Sequence, residues 1–100
     1  MAHEPETVRV SDNRERRRYE AYVGDDLAAY ATYEEVPGGI IFVHTRTEPE
    51  FEGRGVGSHL AEAALDDVRR RGLRVTPRCP FIAAYIERHP AYADLVDSAP

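Results

Sequence analysis

The stretch Glu52-Gly53-Arg54-Gly55-Val56-Gly57-Ser58 sets three glycines within five residues, and the longest helix-patterned segment of the chain follows it directly. Glycines spaced this closely admit positive φ and leave several N–H groups unshielded by side chains. The helix start adds its own free N–H groups and the positive end of its dipole to the same spot. This arrangement holds a phosphate or pyrophosphate. The alternative reading of the same residues is a tight turn that opens a helix.

Helical periodicity fills residues 56–71: Gly57, Leu60, Ala61, Ala64, Leu65 and Val68 share one face, with Ser58, Glu62, Asp66, Arg69 and Arg70 elsewhere. Arg69, Arg70 and Arg71 suit the negative end of the helix and Gly72 its C′ position. Before the loop the pattern is β. Residues 7–10 form a short run with a turn signal at Ser11, Asp12 and Asn13, and residues 18–23 alternate up to the turn residues Gly24, Asp25 and Asp26. Residues 27–33 read as a strand, with a helix as the alternative their alanines leave open; Val36-Pro37-Gly38-Gly39 is a hairpin turn. Residues 40–45, β-branched and aromatic, are the strongest strand. After the helix, residues 73–77 form a short strand expected to run parallel to residues 40–45 in a right-handed crossover. Pro80 opens a second helix to about His89, with Ile82, Tyr85, Ile86 and His89 on one stripe, and residues 91–96 are a last helical turn or strand. The fold expected is α/β (α+β), a mostly antiparallel sheet of four or five strands with two packed helices.

At 100 residues the chain holds one small domain, and 42% hydrophobic with 31% charged residues argues against disorder and against a membrane span. The start, Met1 to Pro5, is read as a frayed end without the basic and apolar regions of a signal peptide, so a cytoplasmic location is expected. The net charge of −5 speaks against nucleic acid as a partner, and the local run Arg14-Glu15-Arg16-Arg17-Arg18 reads as a solvated strand or hairpin edge. All 13 basic residues are arginine, which excludes a Schiff-base lysine and a Walker lysine. Cys79 is alone and forms no internal disulfide; it is too far in sequence from His44, His59 and His89 for paired-ligand spacing, so no metal site is expected.

The order of strand, glycine loop, helix, short strand and tyrosine-bearing helix over residues 40–96 resembles the acetyl-CoA-binding core of the GNAT superfamily of N-acetyltransferases. The closer likeness is to its short, single-domain branch, carried by residues 52–57, by Arg78-Cys79-Pro80-Phe81-Ile82-Ala83-Ala84-Tyr85-Ile86 and by His89-Pro90-Ala91-Tyr92-Ala93-Asp94-Leu95-Val96. The resemblance implies that backbone N–H groups of Gly53, Arg54, Gly55, Val56 and Gly57, with Ser58, bind the pyrophosphate of coenzyme A. It also implies that the pantetheine arm lies between the strand ending near Thr45 and the one ending near Pro77. Glu52 stands where the superfamily has Gln or Arg, and a carboxylate repels pyrophosphate, so Glu52 is expected to point away.

Acetyl transfer to an amine needs a base for the amine proton, a donor for the oxyanion and an acid for the thiolate. Tyr85, placed like the superfamily's tyrosine, is the candidate acid; otherwise it is a core tyrosine. Cys79, at a strand end before a helix, reads as an acid, a cofactor contact, a transient acetyl acceptor or an inert buried thiol. His44 is the candidate base, although strand alternation leaves its facing open. His59 is expected in solvent. The function expected is acetyl-CoA-dependent N-acetyltransfer to a small-molecule or protein amine by a monomer or weak homodimer. The main rival is a coenzyme A-binding module with little or no transferase activity, since the chain is short and lacks the N-terminal helical region that usually helps form an acceptor pocket. A purely structural domain is the third reading.

Overall fold

The computed structural model describes residues 7–96; the end read as frayed at residues 1–5 lies outside them. A five-stranded sheet in the order β1-β2-β3-β4-β5 is formed by β1 (Val8–Asn13), β2 (Arg18–Val23), β3 (Asp26–Val36), β4 (Gly39–Thr47) and β5 (Arg74–Pro77). Helix α1 (Val56–Arg70) connects β4 to β5, α2 (Pro80–Arg88) follows β5, and short 3-10 helices span Pro49–Phe51 and Pro90–Leu95. The first four strands are a hairpin-linked antiparallel meander, and β5 pairs parallel to β4. This is the architecture expected from the sequence, with the crossover running through the glycine loop.

Two boundaries differ instructively. Ser11, Asp12 and Asn13 are the end of β1 rather than a turn, because Asp12 pairs with Tyr19 across the hairpin and its carboxylate accepts the Tyr33 hydroxyl at 2.6 Å. The turn falls one step later, in the arginine run: Asn13 Oδ1 accepts the Arg16 N–H at 3.1 Å, and Arg17 takes a left-handed φ of 52°. The alanine-rich segment is wholly strand and longer than expected. Ala29 and Ala31 are completely buried, and side chains this small let α1 lie close to the sheet.

The core lies between the sheet and the two helices. Helix α1 contributes Val56, Leu60, Ala61, Ala64, Leu65 and Val68, and α2 contributes Ile82, Tyr85 and Ile86. Tyr19, Tyr33 and Phe42 form an aromatic cluster with centroid separations of 5.4 to 6.4 Å. The hydroxyls of that cluster tie sheet to helix: Tyr19 donates to Asp67 on α1 at 2.7 Å, and Arg71 reaches both the Tyr19 hydroxyl and Asp12. Helix α1 stops at Gly72, whose N–H bonds the Arg69 carbonyl at 3.0 Å while Leu73 N–H bonds Val68 at 3.1 Å, a Schellman closure that needs its φ of +70°.

One irregularity positions everything below. In the β3–β4 register Tyr33 faces Phe42 but Thr32 faces His44, so Val43 is an extra residue, a β-bulge. Side-chain alternation changes phase there. Ile40 and Phe42 face the helices before the bulge; Thr45 and Thr47, opposite the buried Ala31 and Ala29, face them after it.

Burial first, and then the neighbouring Asp67 and Asp12 carboxylates, raise the Tyr19 and Tyr33 hydroxyls well above the ordinary tyrosine range. A group whose folded value is raised contributes stability that is complete below its unfolded value and is lost above it. Thermal stability followed by circular dichroism is therefore expected to hold up to about pH 10 and to fall beyond it, with a shallower fall in Tyr33→Phe. A melting temperature independent of pH through that range would contradict this account of the cluster.

Candidate functional site

The loop before α1 is anchored by Phe51, which the Pro49–Phe51 turn inserts into the core. Gly53 and Gly55 then take φ of +76° and +78°. An added Cβ at either would meet open space, so what requires glycine there is the backbone conformation. Gly55 is the N-cap of α1; no side chain caps the helix, and the first turn has no acidic residue. The leading N–H groups and the dipole's positive end thus have no capping or acidic side chain from the helix's own first turn. Gly57 is glycine for another reason. It is helical, and a Cβ there would lie 2.9 Å from the Phe81 ring and 3.4 Å from Thr47 Oγ1.

A cavity of about 210 Å³ opens over this helix start, walled by Thr47 of β4, Phe51, the three glycines, Val56, Ser58 and Phe81. Glu52, exposed to solvent, also lines it. The Arg54 guanidinium lies 4.8 Å over the Phe51 ring and donates to the Glu50 carbonyl at 3.1 Å, so its side chain is held against the loop.

Beside the cavity, β4 and β5 part. Their pairing ends at Phe42 and Pro77, and Cys79 N–H closes it on the Phe42 carbonyl at 2.9 Å. Cys79, 2% exposed and the N-cap of α2, has its Sγ 3.2 Å from the Thr45 hydroxyl. Two residues along each element, Phe81 and Thr47 both lie beside Gly57. The start of α2 thus stands at the gap between the strands, with Cys79 bonded across it.

Tyr85 faces a second cavity of about 200 Å³, shared with His59, Glu62 and His89 and, like the first, bordered by Gly55 and Ser58. Burial, followed by Glu62 and Asp66, raises its hydroxyl above the ordinary tyrosine range. The structure thus brings Gly53, Gly55, Val56, Gly57 and Ser58 into one cavity, sets Tyr85 in the adjoining one, and pairs a half-buried Thr45 with the buried Cys79 where the strands part. His44 is not brought to them: the bulge at Val43 turns it to the opposite face, where it is exposed. Thr47, Phe81 and His89 were not singled out from sequence as site residues. The signal for Thr47 was its two-residue spacing from Thr45, and for Phe81 its place one step after the proline that opens α2. A further cavity, about 460 Å³, lies elsewhere between β1 and α1, and its carboxylates are already engaged by tyrosine hydroxyls and arginines. Among the described residues no group of three or more His, Cys, Asp or Glu side chains is placed to hold a metal, and no helix is long and apolar enough to cross a membrane.

A two-layer domain whose glycine loop opens an uncapped crossover helix, beside a gap between two parallel strands, is the GNAT arrangement. Residues 18–95 match the GCN5-related N-acetyltransferase family, and the chain belongs to that family of acetyltransferases. Among its relatives, Protein NATD1 of Mus musculus is 34% identical over 85 residues, covering 83% of this chain and 77% of that protein, and NATD1 of Homo sapiens is 34% identical with 75% of its length covered. A mycothiol acetyltransferase of Streptosporangium roseum is 48% identical over 50 residues, which is 45% of this chain and 14% of that one. The NMR solution structure of a GCN5-like protein from Staphylococcus aureus shares the fold, with TM-score 0.67 and 24% identity over 98% of this chain and 94% of that one.

Gly57→Ala forces the Phe81 ring to move, and overpacking of this kind costs about 1–3 kcal/mol. Urea unfolding is expected to show that loss in Gly57→Ala and its relief in the Gly57→Ala, Phe81→Leu double variant. Additive effects of the two changes would show that Phe81 is not what keeps position 57 small.

Proposed function

We propose that this chain transfers the acetyl group of acetyl-CoA to an amine. The observation that carries the reading is the uncapped start of α1, wrapped by glycines in a left-handed conformation and bordered by a cavity on either flank. The N–H groups of Gly53, Arg54, Gly55, Val56 and Gly57, with Ser58, would hold the pyrophosphate, and Glu52, exposed at the cavity wall, weakens rather than strengthens that hold. When bound, acetyl-CoA supplies a thioester carbonyl open to attack by an amine. Tyr85, whose hydroxyl carries its proton at neutral pH as any tyrosine's does and which lines the adjoining cavity, is the proton donor for the departing thiolate. Thr45 and Cys79 line the point where the strands part. An acid-rich chain of net charge −5 suits a cationic acceptor, a small polyamine or a lysine side chain.

A second reading is favoured by one specific observation. Tyr85 lines a cavity that Cys79 does not, and the expected base, His44, lies on the far face of the sheet, which suits a module that binds the cofactor with little or no transfer.

Calorimetric titration with acetyl-CoA, followed by thiol release in the presence of spermidine and of a lysine peptide, separates these readings. Saturable binding with amine-dependent thiol release is expected, falling about 10²-fold in Tyr85→Phe with binding unchanged. Binding without release would leave the module; no binding at millimolar ligand would remove both.

A further inference from the structure

Amine acetylation needs a base, and the histidine expected to supply it is turned away by the β4 bulge. A different histidine stands in the Tyr85 cavity. His89 ends α2, and there its ring folds back over the last helical turn. It stacks on the Tyr85 ring with centroids 3.9 Å apart and planes 17° from parallel. Its Nδ1 lies 2.8 Å from the Tyr85 carbonyl oxygen. A carbonyl only accepts, so Nδ1 carries the proton and the neutral ring keeps its lone pair on Nε2. The ring lines the same cavity as Tyr85, Ser58 and Gly55. The other titratable groups facing this pair are His59 and Glu62 of α1 in the cavity wall, and Tyr92 of the last 3-10 helix, 6.1 Å from Tyr85 with its hydroxyl donated to Asp66 of α1 at 2.7 Å.

We propose that His89 is the catalytic base of this chain, taking the acceptor's proton at Nε2 while its stacked neighbour Tyr85 serves as the acid. This rests on the transferase reading above. The amine loses a proton to Nε2 and its nitrogen bonds the acyl carbon; the carbon–sulfur bond breaks, and the thiolate takes the Tyr85 hydroxyl proton. The imidazolium then returns its proton to the phenolate, so the thiol carries the former Tyr85 proton, Tyr85 carries the amine's, and both side chains are restored. The Nδ1–H bond to the Tyr85 carbonyl fixes the tautomer this sequence requires. The stack holds acid and base in one cavity beside the helix start that receives the donor.

The test has one readout that does not depend on turnover and one that does. Long-range proton–nitrogen NMR of the full chain is expected to show the Nδ1–H tautomer for His89; an Nε2–H tautomer overturns the proposal. With acetyl-CoA and spermidine, thiol release per enzyme is expected to rise with pH along the same curve that NMR records for His89. His89→Phe, which keeps an aromatic ring on Tyr85, is expected to lose that limb and about 10²-fold in rate, and added imidazole to restore part of the rate in His89→Ala. Full activity in His89→Phe with an unchanged profile overturns the base assignment and leaves the transferase reading standing. Acetyl-CoA binding without transfer to either spermidine or a lysine peptide overturns both.

Discussion

The parting of β4 from β5 after Phe42 is the constraint on which the rest of the molecule depends. Up to that point the two strands are joined by parallel pairing; beyond it β4 runs on to Thr47 while β5 has ended at Pro77. Backbone groups along the freed edge of β4 need other partners, and the start of α2 closes the gap. Cys79 binds the last paired residue through its N–H and Thr45 through its sulfur, and Phe81 and Thr47 both flank Gly57. The parallel pairing requires a crossover, the crossover is α1, and α1 begins on the glycine loop at the same end of the sheet.

The loop can be this open because the helix behind it is held elsewhere. Completely buried Leu60, Ala61, Ala64, Leu65 and Val68 fix α1 to the sheet. Tyr19 donating to Asp67 and the Schellman closure at Gly72 fix its far end. With the helix secured over four turns, its first N–H groups go without a capping side chain at modest cost, about 1 kcal/mol by the usual effect of removing a cap. That exposed end is what an anionic ligand would satisfy.

Elements with strong periodicity were legible in the sequence. The spacing of Leu60, Ala64, Leu65 and Val68 defined α1, the run from Ile40 to Thr45 defined β4, and the glycines announced the loop. What could not be read was phase. A single inserted residue at Val43 decides that Thr45 and Thr47, not His44, face the helices, and no residue type at that position signals a bulge. Gly57 looked like part of an anion cradle, and only the nearby Phe81 ring reveals that it is also kept small by contact. His89 lay on the expected stripe of α2, but its stack on Tyr85 depends on the chain leaving the helix with φ −129°, a bend set by Pro90 and by the contacts of the following turn. The Arg14–Arg17 turn was hidden for a related reason, since Asp12 is drawn into β1 by a tyrosine from a different strand.

The central claim is that the bare start of α1 receives the pyrophosphate of an acyl donor. Backbone amide NMR of the free chain titrated with coenzyme A tests it most directly. The account predicts saturable, concerted shifts of the amides of Gly53, Arg54, Gly55, Val56, Gly57 and Ser58 at the lowest ligand concentrations, reproduced by pyrophosphate alone at higher concentration. Shifts confined to the acidic cavity between β1 and α1, or none at the loop, would contradict it and return the glycines to the role of a turn.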